Sequence, residues 1–168
     1  MKILVVSDNH GNKEVLESIV EKYENEAILI HCGDSELPQD DPIWKKFTAV
    51  VKGNCDFDQR YPNEALVKIG EERIYVTHGH LADVRFGLET LMKKTAEVNA
   101  TLCFFGHTHM IGCEKRQGTL FLNPGSISQP RGTLLYKSYA VIEVNDETYD
   151  VKYYTKDHEI INKLQFSF

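Results

Sequence analysis

Five short runs of apolar, β-branched or aromatic residues recur along the chain, and polar residues follow each of them. The runs occupy residues 2–7, 27–30, 47–52, 73–77 and 101–105. Continuous apolar runs of this length are typical of strands that are buried on both faces. The pattern therefore predicts a sheet that is covered by other layers of structure.

Two helices are predicted between these runs. Residues 13–26 carry an apolar stripe at helical spacing, and Asn12 is the predicted N-cap after the flexible Gly11. A second helix is predicted over residues 87–98. The chain thus begins strand–helix–strand, and sheets built in that way place functional sites beyond the carboxyl ends of their strands.

The rest of the sequence favours β-structure. Residues 66–69 and 73–77 form a predicted hairpin, and Asn145–Asp146 form a predicted turn. Further strands are predicted over residues 111–115, 119–122, 139–144 and 149–154. Two mixed sheets packed face to face with helices outside would use all these elements, in a single domain spanning residues 1–168.

The polar residues after the five runs are of three chemical types: aspartate, asparagine and histidine. These candidate ligands are Asp8, His10, Asp34, Asn54, His78, His107 and His109. Any one of them could be a turn former or a cap, but the same chemistry at all five ends predicts a shared site. Carboxylate, carboxamide and imidazole groups without thiolate favour first-row divalent ions; manganese is expected, with iron, nickel, cobalt or zinc as alternatives.

The number of ligands predicts two ions. Seven are too many for one tetrahedral ion, whereas two ions with open positions would use them, with one aspartate shared. His107 and His109 belong to the motif GHTH, and on an extended strand two such side chains would lie on the same side, about 7 Å apart. Two ions about 3.5–4 Å apart can activate water and bind a phosphoryl group.

Charge and cysteine content limit the class of protein. The chain of 168 residues has a formal net charge of -6, which argues against a broad duplex nucleic-acid surface. No apolar run approaches membrane-spanning length, and the N-terminal run is too short for a signal peptide, so a cytoplasmic protein without membrane contact is expected. The four cysteines form no C-x-x-C pair, which favours reduced thiols.

The order of the polar motifs resembles the calcineurin-like metallophosphoesterases. The motifs are DNHG, GD, GNCD, HGH and GHTH, and the later NPGS adds a resemblance to the small YfcE-type phosphodiesterase branch. The similarity covers residues 1–131. It implies a four-layer αββα sandwich with a dinuclear site at the strand ends, and hydrolysis by a hydroxide that bridges the ions.

The resemblance also implies a role for each candidate ligand. Asp8, His10 and His109 would hold one ion, and Asn54, His78 and His107 the other. Asp34 would bridge the two ions and hold them together, so that Asp34, Asn54 and His78 are the expected catalytic residues.

Four further residues are expected near the substrate: Asn9, Cys55, His80 and Arg131. Many members of the resembling family have histidine where this chain has Cys55, and a thiol is a weak hydrogen-bond donor. Cys55 could also be a small buried apolar residue. As a substrate contact it favours phosphodiesters with good leaving groups over monoesters.

The sequence therefore predicts a dinuclear metal-dependent phosphodiesterase acting on a small substrate. The alternative is a protein-interaction scaffold of the retromer-subunit type, which shares the fold but departs from the ligand set. The sequence is compatible with a monomer or a homo-oligomer. It is equally compatible with a place in the core or in an interface for Tyr153, Tyr154 and residues 166–168.

Overall fold

A computed structural model of the chain describes residues 1–145 and 148–168. Asp146 of the predicted turn lies outside the described residues. The described residues form two α-helices, α1 (Lys13–Tyr23) and α2 (Glu89–Glu97), together with 3-10 turns at Pro42–Lys46 and His80–Ala82. The strands are β1 (Lys2–Val6), β2 (Ile28–His31), β3 (Ala49–Val50), β4 (Glu64–Ile69), β5 (Glu72–Thr77), β6 (Leu102–Phe104), β7 (Ile111–Arg116), β8 (Thr119–Pro124), β9 (Ser138–Val144), β10 (Tyr149–Thr155) and β11 (Ile160–Ser167).

The strands form two mixed sheets, as predicted. The first has the order β11-β10-β9-β1-β2-β3 and the second the order β4-β5-β6-β8-β7. In the first sheet β1 runs parallel to β2 and antiparallel to β9. In the second, β5, β6 and β8 are parallel neighbours, and β4 and β7 are antiparallel edge strands.

The alternation of side chains along each central strand explains why the apolar runs are continuous. Ile3 and Val5 of β1 pack between the sheets, against residues such as Phe104 of β6. Leu4 and Val6 point the other way and pack under α1. Both faces of the strand are therefore buried.

The second sheet is covered in the same manner. Tyr75, Cys103 and Phe121 lie on its outer face and contact Leu91 of α2. The four layers are α1, the two sheets and α2, which confirms the predicted sandwich. No helix in the described part of the chain combines the length and apolar character needed to cross a membrane.

The start of α1 agrees with the predicted cap. The Asn12 side chain accepts a hydrogen bond from the Val15 N–H at 3.3 Å, and the helix ends at Tyr23, three residues before the predicted end. The predicted strand at residues 47–52 is shorter than expected, because only Ala49 and Val50 pair with β2.

The C-terminal strand β11 was not predicted from the apolar pattern. Its buried residues, Ile161 and Leu164, are three positions apart, which does not match the two-residue period of a strand. The irregularity accompanies a register shift between Lys152 and Tyr154 of β10. Tyr153 is buried in the core, and Phe166 on the edge strand is partly exposed.

Candidate metal centre

The candidate ligands come together at the carboxyl ends of β1, β2 and β3 in the first sheet and of β5 and β6 in the second. Backbone hydrogen bonds connect the loops after these strands: the Asp8 N–H donates to the Gly33 carbonyl at 3.1 Å, and the Gly106 N–H donates to the His78 carbonyl at 3.0 Å. All seven predicted ligands lie in or beside these loops. The parallel strands place them at one edge, as the strand order requires.

One half of the centre contains Asp8, His10 and His109. The Nε2 atoms of the two histidines are 3.1 Å apart, and His109 Nε2 lies 3.2 Å from Asp8 Oδ1. Together with Asp34, these residues place one ligand atom each within 4.8 Å of the others. This arrangement can surround a single cation.

The other half contains His78, Asn54 and His107. His78 Nε2 lies 3.2 Å from Asn54 Oδ1, and the rings of His78 and His107 are 5.1 Å apart between centroids. His78 Nε2 also lies 3.3 Å from Asp34 Oδ2. Asp34 therefore contacts both halves.

The environment of Asp34 favours its charged form. Burial by itself would raise the pKa of this carboxyl group, but His78 and the N–H of Cys55 outweigh burial and hold the pKa well below its usual value. The Cys55 N–H donates to Asp34 Oδ1 at 2.7 Å. The pKa of His78 is raised despite burial, because the carboxylates of Asp34 and Asp8 lie close to its ring.

Each of three histidines is oriented by a partner on its Nδ1 atom. His10 Nδ1 lies 2.6 Å from Glu36 Oε1, and His78 and His109 each lie 2.7 Å from a backbone carbonyl, of Cys32 and Gln129 respectively. A proton on Nδ1 leaves Nε2 with a lone pair that points into the centre. Groups of this kind usually orient the histidines that bind a metal. None of these three partners was predicted from the sequence.

The donor set fits a cation. Within the described part of the chain, Asp8 Oδ1 is buried without a hydrogen-bond partner, which is unusual for a carboxylate oxygen. The two Nε2 atoms that face each other at 3.1 Å are both acceptors when Nδ1 carries the proton. A positive ion between them would satisfy all three atoms.

The backbone at these positions is left-handed. Five of the seven candidate ligands have a positive φ, between 45° and 67°: Asp8, His10, Asp34, His107 and His109. Such conformations cost about 1–3 kcal/mol each in non-glycine residues and concentrate at functional sites. The expectation of an extended GHTH segment was wrong, because this turn directs His107 and His109 to different halves of the centre.

Two glycines allow the loops to approach each other closely. A Cβ atom at Gly53 would overlap the carboxylate of Asp34, and one at Gly106 would overlap the Ser7 hydroxyl. Any larger residue at either position would push a ligand-bearing loop out of place.

Asp56 fixes the loop that carries Asp34. Its buried carboxylate accepts hydrogen bonds from the N–H groups of Asp34 at 2.9 Å, Glu36 at 2.7 Å and Gly53 at 2.7 Å, and from the Ser35 hydroxyl at 3.0 Å. Asp56 is the last residue of the GNCD motif and was not among the predicted site residues. The signal was a carboxylate two residues after Asn54.

The NPGS segment, residues 123–126, forms hydrogen bonds with the loops that carry the candidate ligands. The Asn123 amide donates to the Gly106 carbonyl at 2.8 Å and to the Thr108 hydroxyl at 3.0 Å. The Ser126 hydroxyl donates to the Asp8 carbonyl at 2.7 Å. The loop thus holds the backbone of two ligand-bearing segments.

The four residues predicted near the substrate differ in their surroundings. Asn9 is buried, and its amide contacts His31 at 2.9 Å and the Ser35 carbonyl at 3.2 Å. Cys55 is exposed, which does not fit the alternative of a buried apolar residue. Arg131 is exposed and connects by its N–H to the His109 carbonyl at 3.0 Å. Their role toward a substrate stays a prediction.

His80 lies beside His78 and His107 of the second half of the centre. The His80 ring is 5.3 Å from that of His78 and 6.1 Å from that of His107, between centroids. Burial and the neighbouring His78 lower the pKa of His80. Burial, His78 and Arg85 lower the pKa of His107 to about 4, so its ring is neutral and available as a ligand near neutral pH.

Comparison with known proteins finds relatives along most of the chain. The family model of the calcineurin-like phosphoesterase superfamily domain matches residues 1–147. A probable metallophosphoesterase of Bacillus subtilis, YsnB, is 39% identical over 98% of this chain and 97% of its own length. The phosphodiesterase YfcE of Escherichia coli is 30% identical over 79% of this chain and 82% of its own length.

Solved structures agree. A predicted phosphoesterase from Streptococcus pneumoniae superposes with a TM-score of 0.97 and 40% identity, over 99% of this chain and 96% of that one. Vacuolar Protein Sorting 29 from Cryptosporidium parvum superposes with a TM-score of 0.79 at 16% identity, over 99% of this chain and 97% of that one, which is a likeness of fold.

Proposed function

Because the chain belongs to the calcineurin-like phosphoesterase superfamily, we propose that it is a phosphodiesterase that uses two divalent cations. The observation that carries this proposal is the position of Asp34, whose carboxylate contacts His78 in one group of ligand atoms and lies with Asp8, His10 and His109 in the other. A carboxylate placed between two groups of ligand atoms can hold two cations close together, which suits a two-ion hydrolytic centre.

The proposed ligand sets are those that the family resemblance implies, and the first agrees with the cluster of Asp8, His10, Asp34 and His109. Asp8, His10 and His109 would hold one cation, and Asn54, His78 and His107 would hold the other. Asp34 would serve both. Manganese suits this mixture of oxygen and imidazole nitrogen, as do the other first-row divalent ions expected from the sequence.

The bound cations would supply a water molecule of lowered pKa as the nucleophile and positive charge toward the phosphoryl oxygens. Asp34 stays ionised through the neutral range because of its lowered pKa, so it keeps its charge toward both halves. Asn54 and His78 contact each other at 3.2 Å and fix the geometry of one half. The lowered pKa of His80 favours its neutral ring, which can both accept and donate a hydrogen bond.

The preference for diesters rests on Cys55. Partial desolvation of the thiol and the nearby Asp34 carboxylate raise the pKa of Cys55 to about 11. The group is therefore protonated near neutral pH, but it is too weak an acid to protonate an alkoxide efficiently. Activated diesters need no such proton, and the relative YfcE is named a phosphodiesterase.

We further propose that the chain acts as one domain over residues 1–168, in the cytoplasm, on a small phosphodiester. The four free cysteines are compatible with a reducing compartment.

The alternative is a protein-interaction scaffold with little turnover. The fold likeness to Vacuolar Protein Sorting 29 keeps this alternative in view. A scaffold has no need for aligned ligands, whereas here three histidines are oriented toward one centre by partners on Nδ1. That arrangement favours the enzyme.

The test combines metal titration with turnover. After removal of metal by a chelator, calorimetric titration with Mn²⁺ should give two equivalents per chain, and the loaded protein should hydrolyse bis(4-nitrophenyl) phosphate faster than 4-nitrophenyl phosphate. Asp34→Asn should weaken both binding events, whereas Asp157→Asn, a change at an exposed carboxylate, should not. One equivalent with full activity would contradict the two-ion centre, and two equivalents without turnover of either ester would favour the scaffold.

A further inference from the structure

A cavity of about 660 Å³ lies beside the candidate metal centre and has no role in the proposed chemistry. One wall is the loop after the 3-10 turn, with Val84, Arg85 and Phe86. The opposite wall contains Thr108 and Met110. Ligand pockets for small molecules are about 300–1,000 Å³ in volume, so the space is sufficient for an aromatic group of nucleoside size.

Both walls are attached to ligand-bearing motifs. The N–H of Val84 donates to the Gly79 carbonyl at 3.4 Å, within the HGH motif. A Cβ atom at Gly79 would lie 2.8 Å from the Val84 side chain, so the loop packs directly on this motif. Thr108 lies between His107 and His109 in the sequence, so one wall of the cavity belongs to the loop that carries two candidate ligands.

Two apolar side chains of the cavity are unusually exposed. Phe86 is 90% exposed and Met110 is 50% exposed. Such residues normally pack against other apolar groups, and an exposed aromatic ring at the rim of a polar centre provides a flat surface for another ring.

The charge of the cavity is positive. Arg85 and Arg131 line it, and neither forms an ion pair among the described residues. The acidic Glu114 is bound by Arg116 at 2.6 Å. Guanidinium groups attract anions and stack on aromatic rings.

From this juxtaposition we propose that the cavity binds an aromatic ester group of the anionic phosphodiester substrate, with the ring against Phe86 and Met110. The proposal rests on the proposed function, because it takes the phosphate to lie at the metal centre. It adds the substrate class: phosphodiesters that carry at least one aromatic ester group are preferred to purely alkyl ones.

The test measures binding, so that it does not depend on turnover. Diphenyl phosphate and dimethyl phosphate are titrated into Mn²⁺-free protein reloaded with Mg²⁺, which is diamagnetic, and the methyl signals of ¹³C-labelled methionine are followed by NMR. Diphenyl phosphate should bind at least tenfold more tightly and shift the signal of Met110, while the signal of Met92 on α2 stays in place. Phe86→Ala should reduce the ratio of the two affinities about tenfold, and Phe86→Trp should retain it.

The matched control is Phe57→Ala, which removes an equally aromatic residue that is 65% exposed and does not line the cavity. It should leave the ratio unchanged. Equal affinities for the two esters, an unmoved Met110 signal or a larger effect of Phe57→Ala than of Phe86→Ala would overturn the proposal. If the protein hydrolyses diesters but binds the two esters equally, the role of the cavity is wrong and the proposed function stands. If it prefers diphenyl phosphate but hydrolyses no ester, the proposed function is wrong and the role of the cavity stands.

Discussion

Replacement of Asp56 by alanine should destabilise the protein strongly, although this residue is not a candidate ligand. The carboxylate is 5% exposed and accepts hydrogen bonds from three backbone N–H groups and one hydroxyl. Ser35 can rotate toward another acceptor, but the three N–H groups are fixed by the backbone. Asp56→Ala leaves all three without a partner.

The size of the effect follows from the cost of a buried, unpaired N–H, which is about 1–3 kcal/mol. Three such groups give an upper range of about 3–9 kcal/mol, and a water molecule entering the space of the lost carboxylate would satisfy one or two of them. We therefore expect a loss of about 4 kcal/mol in the free energy of unfolding. Asp56→Asn keeps one accepting oxygen but turns an NH₂ group toward the remaining donors, so it should lose at least half as much.

The assay is urea unfolding of the metal-free protein, followed by calorimetric titration with Mn²⁺ for each variant that folds. Mn²⁺ affinity should fall in both variants, because the loop of Asp34 is no longer held. Asp157→Ala, at an exposed ion pair with Lys156, should stay within about 0.5 kcal/mol of the parent. An Asp56→Ala protein with unchanged stability would refute the assignment of these hydrogen bonds.

Two further predictions concern single titratable groups. Cys55→Ala should leave turnover of an activated aryl diester nearly unchanged. Cys55→His should raise activity on esters with poor leaving groups by about 10²-fold, because an imidazolium can act as a general acid. A steep loss of turnover in Cys55→Ala with metal still bound would show that the thiol participates. Burial lowers the pKa of His31 to about 4, so the unfolded chain takes up this proton first, and His31 should contribute a loss of about 3 kcal/mol to the stability of the metal-free protein between pH 6.5 and 4. Urea unfolding at pH 7 and 4.5 checks this sign, and His31→Gln should show a smaller loss than the parent; an equal loss in both would assign the pH dependence to other groups.

The sequence contained enough information for the two sheets and for the candidate ligands. The strands of the core are apolar on both faces, so each forms a continuous apolar run. Such a run can be recognised in the sequence without knowing which strands pair with it. The ligand types also recur at each strand end, in a fixed order of motifs, which is a local property of the chain.

Features that depend on contacts between distant segments could not be found in this way. The partners of His78 and His109 are backbone carbonyls, which every residue carries and which therefore leave no mark in the sequence. The left-handed turn at His107 and His109 is imposed by the surrounding loops, against the preference of both residues. The strand β11 is similarly defined by pairing with β10 across an irregular register.

The left-handed backbone at Asp8, His10, Asp34, His107 and His109 has a consequence for the descent of such proteins. Glycine adopts this conformation without strain, and asparagine does so more readily than histidine. In a lineage that no longer needs the cation, substitutions of this kind would relieve strain at the positions that once performed the chemistry, while the apolar layers stay as they are. Such proteins would lose activity while their folded state became more stable, and the fold would remain available for other functions.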